Sequence, residues 1–194
     1  MENKDKIIKL LKDTGVILEG HFLLTSGRHS NLFLQCSQLL QYPKETEAIC
    51  SMMAEPYKRM KIDTVIGPAM GGVILAYESA RQLDARAVYA EPSGDKMILR
   101  RGFQIGKGEK VLVVEDAVTT GGSVKKVLTL LESVGARVVG IAVMVDRTAG
   151  KLNFGLPYQA LIEMEVESYQ PEECPLCQKG ILLEEPKGKP KDRG

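Results

Sequence analysis

The most informative feature of the sequence is a pair of adjacent acids followed by a loop of small residues. Glu115 and Asp116 come directly after the apolar run at residues 111–114, and residues 117–123 read Ala-Val-Thr-Thr-Gly-Gly-Ser. From residue 124 onward, apolar side chains recur at the spacing of a helix. The amides of such a loop and the N-terminus of the following helix attract phosphate, and neighbouring carboxylates can hold sugar hydroxyls or a metal ion on them. This stretch therefore predicts a site for a sugar phosphate.

Two common nucleotide-binding loops are excluded by the same residues. The stretch lacks the GxxxxGK[ST] pattern of a P-loop and the GxGxxG pattern of a dinucleotide-binding turn. We therefore expect a monophosphate with an adjacent diol, rather than a nucleoside triphosphate or a dinucleotide. The alternative, in which the two acids only cap a strand and the next helix, is disfavoured by the Thr-Thr-Gly-Gly-Ser that follows them.

Composition and charge are those of an ordinary globular protein. The chain has 194 residues, of which 44% are hydrophobic and 26% charged, and its formal net charge is +1. These values fit one domain with a buried core and do not suggest nucleic acid or membrane as a partner. The polar N-terminus lacks the apolar segment of a signal peptide, so we expect a cytoplasmic protein.

Alternating strand and helix patterns between residues 63 and 145 predict an α/β fold with a parallel sheet flanked by helices. Ligands of such sheets bind beyond the carboxyl ends of the strands. Three loops are expected there, at residues 67–72, 91–102 and 115–123, and the second of them has no regular pattern. The predicted helices cover residues 4–12, 44–58, 72–83 and 124–134, and the predicted strands cover 22–24, 31–34, 63–66, 86–90, 110–114, 137–145 and 158–162.

The four cysteines are interpreted as thiols without a catalytic role. Cys36 and Cys50 lie in apolar surroundings and are expected to be buried. Cys174 and Cys177 form a CxxC pair, but a tetrahedral zinc site requires two more ligands, and both histidines of the chain lie far upstream. We favour two thiols in a C-terminal turn. A metal or redox site remains the alternative, and a second pair from a partner subunit would complete it.

The acid pair and its loop also carry a resemblance to a known family. Residues 115–123, nine contiguous positions behind Val-Leu-Val-Val, resemble the phosphoribosyl pyrophosphate signature of type I phosphoribosyltransferases. The resemblance implies their fold, a central parallel sheet flanked by helices with a small N-terminal hood. It also implies that Glu115 and Asp116 hold the ribose 2′ and 3′ hydroxyls and that residues 119–123 bind the 5′-phosphate. The residues expected to bind the donor are Glu115, Asp116, Ala117, Val118, Thr119, Thr120, Gly121, Gly122, Ser123, Gly71 and Gly72.

Further segments narrow the resemblance to orotate phosphoribosyltransferases. Residues 24–30 with Phe33 resemble their hood, residues 145–147 resemble the segment whose Arg binds orotate, and residues 66–73 resemble their pyrophosphate loop. The implied reaction transfers phosphoribose from phosphoribosyl pyrophosphate to orotate, giving orotidine 5′-monophosphate and pyrophosphate. The planar guanidinium of Arg147 suits the orotate carboxylate. The residues expected to contact orotate are Thr119, Arg147 and Phe33.

The chain departs from many orotate enzymes on the pyrophosphate side of the expected site. Gly71 stands where they carry a Lys, and residues 90–103 lack the His of their usual catalytic loop. By position and charge, Lys96 with Arg100 or Arg101 would close over the leaving group. The residues expected to be catalytic are Lys96, Arg100 and Asp116.

The resemblance also implies a cofactor and an assembly. Mg²⁺ would be held mainly by the pyrophosphate, without a strong protein ligand, and the chain would form a homodimer that shares the catalytic loop across its interface. The expected organisation is one domain over residues 1–170, with the hood at about 1–40 plus a C-terminal strand and the core at about 44–147. A partly disordered tail at 171–194 would carry the CxxC pair. The alternatives left open are a transferase for a purine or uracil, and a regulator that binds the donor without catalysis.

Overall fold

In the computed structural model, six strands form one mixed sheet and two others form a separate hairpin. The structure describes residues 2–24 and 26–184. Each predicted element is present, although the helix predicted at 44–58 ends earlier, because Pro56 lacks the N–H that would continue it. The strands are β1 (Ile17–Leu23), β2 (His29–Leu34), β3 (Thr64–Pro68), β4 (Arg86–Ser93), β5 (Lys96–Ile98), β6 (Lys110–Val118), β7 (Arg137–Asp146) and β8 (Tyr158–Glu163). The helices are α1 (Glu2–Asp13), α2 (Pro43–Ala54), α3 (Gly71–Leu83), α4 (Gly122–Ser133) and α5 (Pro175–Gln178), with short 3-10 turns at Cys36–Gln41, Glu55–Tyr57 and Pro171–Glu173.

The strand order of the large sheet is β5-β4-β3-β6-β7-β8, and all neighbours are parallel except β4 and β5. This confirms the predicted α/β architecture. Strands β3 and β6 and most of β7 are buried, as a parallel sheet covered on both faces requires. Because β3, β6 and β7 run in the same direction, their carboxyl ends at Pro68, Val118 and Asp146 lie along one edge of the sheet.

Side chains of β6 alternate between two hydrophobic clusters on opposite faces of the sheet. Leu112 and Val114 belong to the cluster that packs against α1, α2 and α3. Val111 and Val113 belong to the cluster that packs against α4. The loops that follow the strands are therefore held by a sheet with a well-packed core on each side. Every helix of the described residues is too short or too polar to span a bilayer.

The hood consists of the β1–β2 hairpin and the C-terminal segment that pairs with it. His29 and Tyr169 exchange two backbone hydrogen bonds, of 2.9 and 2.8 Å, and the Glu184 amide donates to the His21 carbonyl. Arg28 adds a 2.9 Å bond from its Nε to the Ser168 hydroxyl. Residues from the two ends of the chain thus form one layer. The final ten residues, which the sequence predicted to be disordered, lie outside the described residues.

Residues 91–98 form a regular hairpin, which the sequence analysis did not predict, whereas residues 99–102 are in neither helix nor strand, as it expected. Strand β4 continues to Ser93, and β5 returns antiparallel to it, pairing Lys96 with Ser93 and Met97 with Pro92. Gly94 has a positive φ of 58°, which suits the turn between them. Met97 is buried in the cluster that includes α4. A three-residue strand with one buried side chain is too short to give a period-2 pattern in the sequence.

The end of β3 and the start of α3 approach each other more closely than any side chain would allow. A Cβ placed on Gly67 would overlap the backbone carbonyl of Gly72, and a Cβ on Gly72 would come within 2.9 Å of the Gly67 Cα. Neither obstacle can rotate away, because both are main-chain atoms. This contact determines where α3 begins, and therefore where the loop between β3 and α3 lies at the sheet edge.

We predict that Gly67→Ala destabilises the protein by about 1–3 kcal/mol, because the added methyl group forces the backbone of β3 away from α3. The free energy of unfolding, measured with urea, checks this. Gly106→Ala is the matched control, since a Cβ there would meet only the Glu109 carboxylate at 3.5 Å and should change stability little. Equal unfolding free energies for the two variants would contradict the close packing of residues 67 and 72.

Candidate active site

A cavity of about 480 Å³ lies at the carboxyl edge of the sheet, beside β6 and the N-terminus of α4. It contains most of the residues that the sequence predicted to bind the donor. The β3–α3 loop and the β4–β5 hairpin, both expected at this edge, contribute Ala69, Pro92 and Met97, which the sequence analysis did not name. The lining residues are Ala69, Pro92, Met97, Glu115, Ala117, Val118, Thr119, Thr120, Gly121, Gly122, Ser123, Val124 and Lys126.

The loop between β6 and α4 has the geometry of an anion-binding turn. Gly121 has a positive φ of 72°, and α4 begins at the next residue without a side-chain cap. The first N–H groups of a helix have no partner within it. That of Gly122 donates a long hydrogen bond of 3.4 Å to the Thr120 hydroxyl, and the next ones can bind a negatively charged group together with the helix dipole. Phe154 supports the loop from behind, since a Cβ on Gly121 would come within 2.9 Å of its ring. The backbone at this turn is therefore shaped for phosphate and held in place.

The two acids lie at the end of β6, in an environment that disfavours their charges. Glu115 is only 5% exposed. Burial, reinforced by the neighbouring negative charge of Asp116, raises the pKa of Glu115 to about 9. Burial also raises the pKa of Asp116, although the Ala117 N–H donates to its Oδ1 at 2.6 Å and opposes the shift. The pair is thus a site where donated hydrogen bonds or a cation would stabilise both carboxylates.

The start of α3 lies against one of these acids. A Cβ on Gly71 would overlap the carboxylate of Asp116, so no side chain fits at this position in the present arrangement. The loop after β3 and the loop after β6 therefore meet at Gly71 and Asp116. This contact gives a physical reason for the glycine where many orotate enzymes carry a Lys, and it places the backbone of residue 71 beside the predicted diol site.

Arg147 is held by the end of β7. Its amide donates to the Val118 carbonyl at 2.9 Å, and the preceding Asp146 accepts hydrogen bonds from Thr148 and from the Tyr158 hydroxyl. Burial alone would raise the pKa of Asp146, but these hydrogen bonds outweigh it and lower that pKa. The Nε of Arg147 is buried and has no hydrogen-bond partner among the described residues. A buried donor without a partner is costly, and a ligand oxygen would satisfy it.

Cys36 connects the acid pair with Arg147. Burial raises the pKa of this thiol, the charges of Asp116 and Glu115 raise it further, and the charge of Arg147 opposes them. All three charged groups therefore act on the same buried sulfur, and Arg147 belongs to the same neighbourhood as the acids. Cys36 is 6% exposed, which confirms the prediction that this thiol is buried.

Phe33 and the basic residues of the hairpin lie outside the cavity. Phe33 packs in the hood against Phe22, with ring centroids 5.7 Å apart. Lys96 borders a neighbouring depression, and Met97 and Lys126 line both that depression and the cavity. Arg100 is exposed, and the exposed Arg101 forms a 2.9 Å ion pair with Glu91. Lys96 therefore lines only the neighbouring depression, and Arg100 and Phe33 line neither of the two. Asp116, Gly71, Gly72 and Arg147 are also absent from the lining of the cavity.

Lys126 is the cation that the sequence analysis missed. It lies one helical turn after Ser123 on α4, and both side chains line the cavity. Residues three apart on a helix share a face, so an exposed Lys three residues after the end of the loop was a signal that could have been used. Its positive charge adds to the attraction that the helix N-terminus exerts on an anion.

Comparison with known proteins agrees with this geometry. The phosphoribosyl transferase domain model matches residues 35–154. An orotate phosphoribosyltransferase of Caldanaerobacter subterraneus is 51% identical over 183 residues, covering 94% of this chain and 96% of the relative. One of Thermotoga maritima is 48% identical over 180 residues, covering 93% of this chain and 96% of the relative.

Solved structures show the same fold. The orotate phosphoribosyltransferase from Aeropyrum pernix superposes with a TM-score of 0.70 at 30% identity, over 81% of this chain and 93% of that one. An adenine phosphoribosyltransferase from Rhodothermus marinus reaches 0.67 at 21% identity, over 82% of this chain and 99% of that one, which shows the fold alone. The acid pair, its phosphate loop and relatives of this identity over nearly the whole chain together show that the protein belongs to the orotate phosphoribosyltransferases.

Proposed function

We infer that the chain transfers phosphoribose from phosphoribosyl pyrophosphate to orotate, giving orotidine 5′-monophosphate and pyrophosphate in pyrimidine biosynthesis. The observation that carries this conclusion is identity of about 50% to orotate phosphoribosyltransferases over about 95% of the chain. The loop after β6 supplies the matching chemistry, because its amides and the Glu115 carboxylate line one cavity, where they can bind a phosphate and a diol.

The ribose 5-phosphate end of the donor is assigned to residues 115–123. The amides of residues 119–123 and the N-terminus of α4 bind the 5′-phosphate, and Lys126 adds a positive charge at the same cavity. Glu115 and Asp116 accept hydrogen bonds from the ribose hydroxyls. Their raised pKa values support this assignment, since donated hydrogen bonds favour the ionised form of a carboxylate.

Mg²⁺ fits this donor set, because carboxylate oxygens are ligands that Mg²⁺ prefers. Neither Glu115 nor Asp116 forms an ion pair within the described part of the chain, so a cation would relieve the repulsion between them. We assign Mg²⁺ to the bound donor, with these carboxylates nearby and water and pyrophosphate as its main ligands. When bound, it neutralises charge on the departing pyrophosphate.

Orotate is assigned to the space near Arg147. The guanidinium fork pairs with the orotate carboxylate, and a carboxylate oxygen would satisfy the buried Nε that has no partner among the described residues. We also assign Thr119, which lines the cavity, and Phe33, which packs against Phe22 in the hood, to contact with orotate.

The reaction needs positioning and charge neutralisation more than a protein nucleophile. As pyrophosphate leaves, the ribose carbon becomes cationic, and we assign the stabilisation of that charge to the ionised Asp116. We assign the neutralisation of the leaving pyrophosphate to Lys96, the first residue of β5, together with Arg100. The hairpin contributes Pro92 and Met97 to the cavity wall, so its approach would also exclude water.

A homodimer is supported by an exposed apolar face beside the site. Met70, Ile74 and Tyr77 are 83%, 44% and 68% exposed and share one face of α3. Contiguous large apolar side chains at a surface are typical of protein interfaces. This face starts next to Gly71, so a partner bound there could bring its own hairpin to the site. A cytoplasmic location stays a prediction from the sequence.

The substrate assignment is tested by turnover with a panel of bases. We expect pyrophosphate release from phosphoribosyl pyrophosphate and Mg²⁺ with orotate, and none with uracil, hypoxanthine or adenine. Turnover of another base without orotate would overturn the assignment in favour of a related transferase. Donor binding without turnover of any base would instead support a regulator.

We predict that Glu115→Gln stabilises the free protein at alkaline pH while it weakens donor binding. The raised pKa means that folded Glu115 holds its proton up to about pH 9, whereas the unfolded residue loses it near ~4.3. The folded state binds more protons in this window, so its stability falls as pH rises. Gln cannot lose a proton, and we expect its Tm at pH 8 to be higher by about 2–4 °C, equivalent to ~1 kcal/mol.

Donor affinity of Glu115→Gln should fall about tenfold, because the amide replaces a charged acceptor. Thermal unfolding at pH 5 and pH 8, and calorimetric titration with phosphoribosyl pyrophosphate and Mg²⁺, measure the two effects. Glu132→Gln, an exposed residue of α4, is the control and should change neither. A variant that binds the donor as tightly as the parent would contradict the diol role.

We predict that Lys96→Ala lowers kcat by about 10²–10³ while donor affinity changes little, because its charge acts on the leaving group. Steady-state kinetics and donor titration separate the two quantities. Lys125→Ala removes an exposed cation from α4 that does not line the cavity, and it should keep the parent kcat. An unchanged kcat in Lys96→Ala would exclude Lys96 from the mechanism.

A further inference from the structure

Four side chains of the kind that bind metal ions converge in the hood, away from the substrate cavity. His21 and His29 come from β1 and β2, and Cys174 and Cys177 come from the C-terminal segment. One ligand atom from each of the four lies within 4.8 Å of the others. The sequence analysis disfavoured a metal site because two ligands were lacking. That argument was wrong, because the fold brings both distant histidines to the CxxC pair.

Four of the six separations between the ligand atoms are close to those of a tetrahedral site. The Nε2 of His21 lies 3.5 Å from the sulfur of Cys174, 3.7 Å from that of Cys177 and 3.1 Å from the Nδ1 of His29. The Nδ1 of His29 lies 3.2 Å from the Cys177 sulfur. Zinc bonds of about 2.3 Å to sulfur and 2.0–2.1 Å to nitrogen at tetrahedral angles separate ligand atoms by roughly 3.3–3.8 Å. One ion at the centre of the cluster would therefore reach all four atoms with only small adjustments.

The surroundings of the cluster favour the binding of a metal ion. His21, His29 and Cys174 are 1%, 6% and 0% exposed, so the cluster is largely shielded from water. The Nδ1 of His21 is 2.7 Å from the carbonyl oxygen of Ile181. A carbonyl can only accept, so Nδ1 carries the proton and the lone pair of Nε2 faces the other three ligands. Histidines bound to metals characteristically donate their second N–H in this way.

The C-terminal segment has little else to hold its fold. Of the side chains at residues 171–184, only Cys174 is buried, and Leu182 is 85% exposed. Helix α5 has four residues, too few to be stable by itself. The segment nevertheless lies along the hairpin, where the Glu184 amide donates a hydrogen bond to the His21 carbonyl. A metal bound to Cys174 and Cys177 would supply the missing stabilisation.

We propose that His21, His29, Cys174 and Cys177 bind one Zn²⁺ ion that fastens the C-terminal segment to the hood hairpin. Two thiolates and two imidazoles are a ligand set that selects zinc. Four protein ligands leave no open position for substrate or water, so the ion is structural. The site is independent of the transferase reaction, and none of its ligands lines the substrate cavity.

The test begins with the full chain, produced without a histidine tag and dialysed against buffer. We expect about one zinc per chain by mass spectrometry, as a single four-ligand site requires. Replacement of zinc by Co²⁺ should give thiolate-to-cobalt charge-transfer bands and the visible d–d bands of tetrahedral cobalt. Zinc-free protein whose Co²⁺ form lacks these bands would overturn the proposal. A disulfide between the two cysteines, detected by thiol titration, would overturn it in favour of a redox pair.

Variants then locate the ion. Cys177 is exposed, so Cys177→Ser should keep the α/β core folded, which circular dichroism checks. We expect its zinc content to fall to less than about a tenth of the parent value, because three ligands remain. Cys50→Ala removes a buried thiol elsewhere in the core and should retain the full equivalent. Equal zinc in Cys177→Ser and the parent would place the ion elsewhere and refute the site.

A structural role has its own readout. Removal of zinc with a chelator should expose residues 171–184 to limited proteolysis while the sheet resists cleavage, and added Zn²⁺ should restore protection. A segment that stays protected without zinc is held by the protein alone, which would contradict the fastening role.

Discussion

The active site depends on two carboxyl groups that the fold places where their ionised forms are disfavoured. Strand β6 is buried on both faces, and Glu115 and Asp116 stand at its end. Burial raises the pKa of both groups, and neither forms an ion pair within the described part of the chain. A ligand that donates hydrogen bonds or carries a cation would favour the ionised forms. In the proposed function a ribose diol and Mg²⁺ would do this, so the cost of ionising the buried acids would become selectivity for the donor.

The glycines around this pair follow from the same constraint. Gly67 and Gly72 let β3 and α3 pack backbone against backbone, and Gly71 leaves room for the carboxylate of Asp116. A side chain at position 71 would require the carboxylate of Asp116 to move. Lys126 lines the cavity, whereas Lys96 lines the depression beside it. Lys96 comes from the β4–β5 hairpin and Lys126 from α4.

Most of the fold and the donor half of the site could be predicted because their signals are contiguous. The strand, the acid pair, the phosphate loop and the helix follow each other within residues 111–134, and each has its own local pattern. The β4–β5 hairpin was missed because its short strand buries only Met97. Ligands contributed by distant segments leave no local pattern, so the His and Cys cluster could not be recognised until the topology placed residues 21 and 174 together. Lys126 was a different case, in which a usable helical spacing was present in the sequence.

The His and Cys cluster lies in the part of the fold where a cross-link has the largest effect on stability. The sheet is held by two hydrophobic clusters, whereas the C-terminal segment of the hood buries a single side chain between residues 171 and 184. Segments with few buried contacts open at low free energy. His21 and Cys174 are 153 positions apart, and a link that closes so long a loop removes much entropy from the unfolded chain. A metal site in the sheet would add little to an already cooperative core. In the hood it would join the C-terminal segment to the β1–β2 hairpin, and so hold these two parts of the hood together.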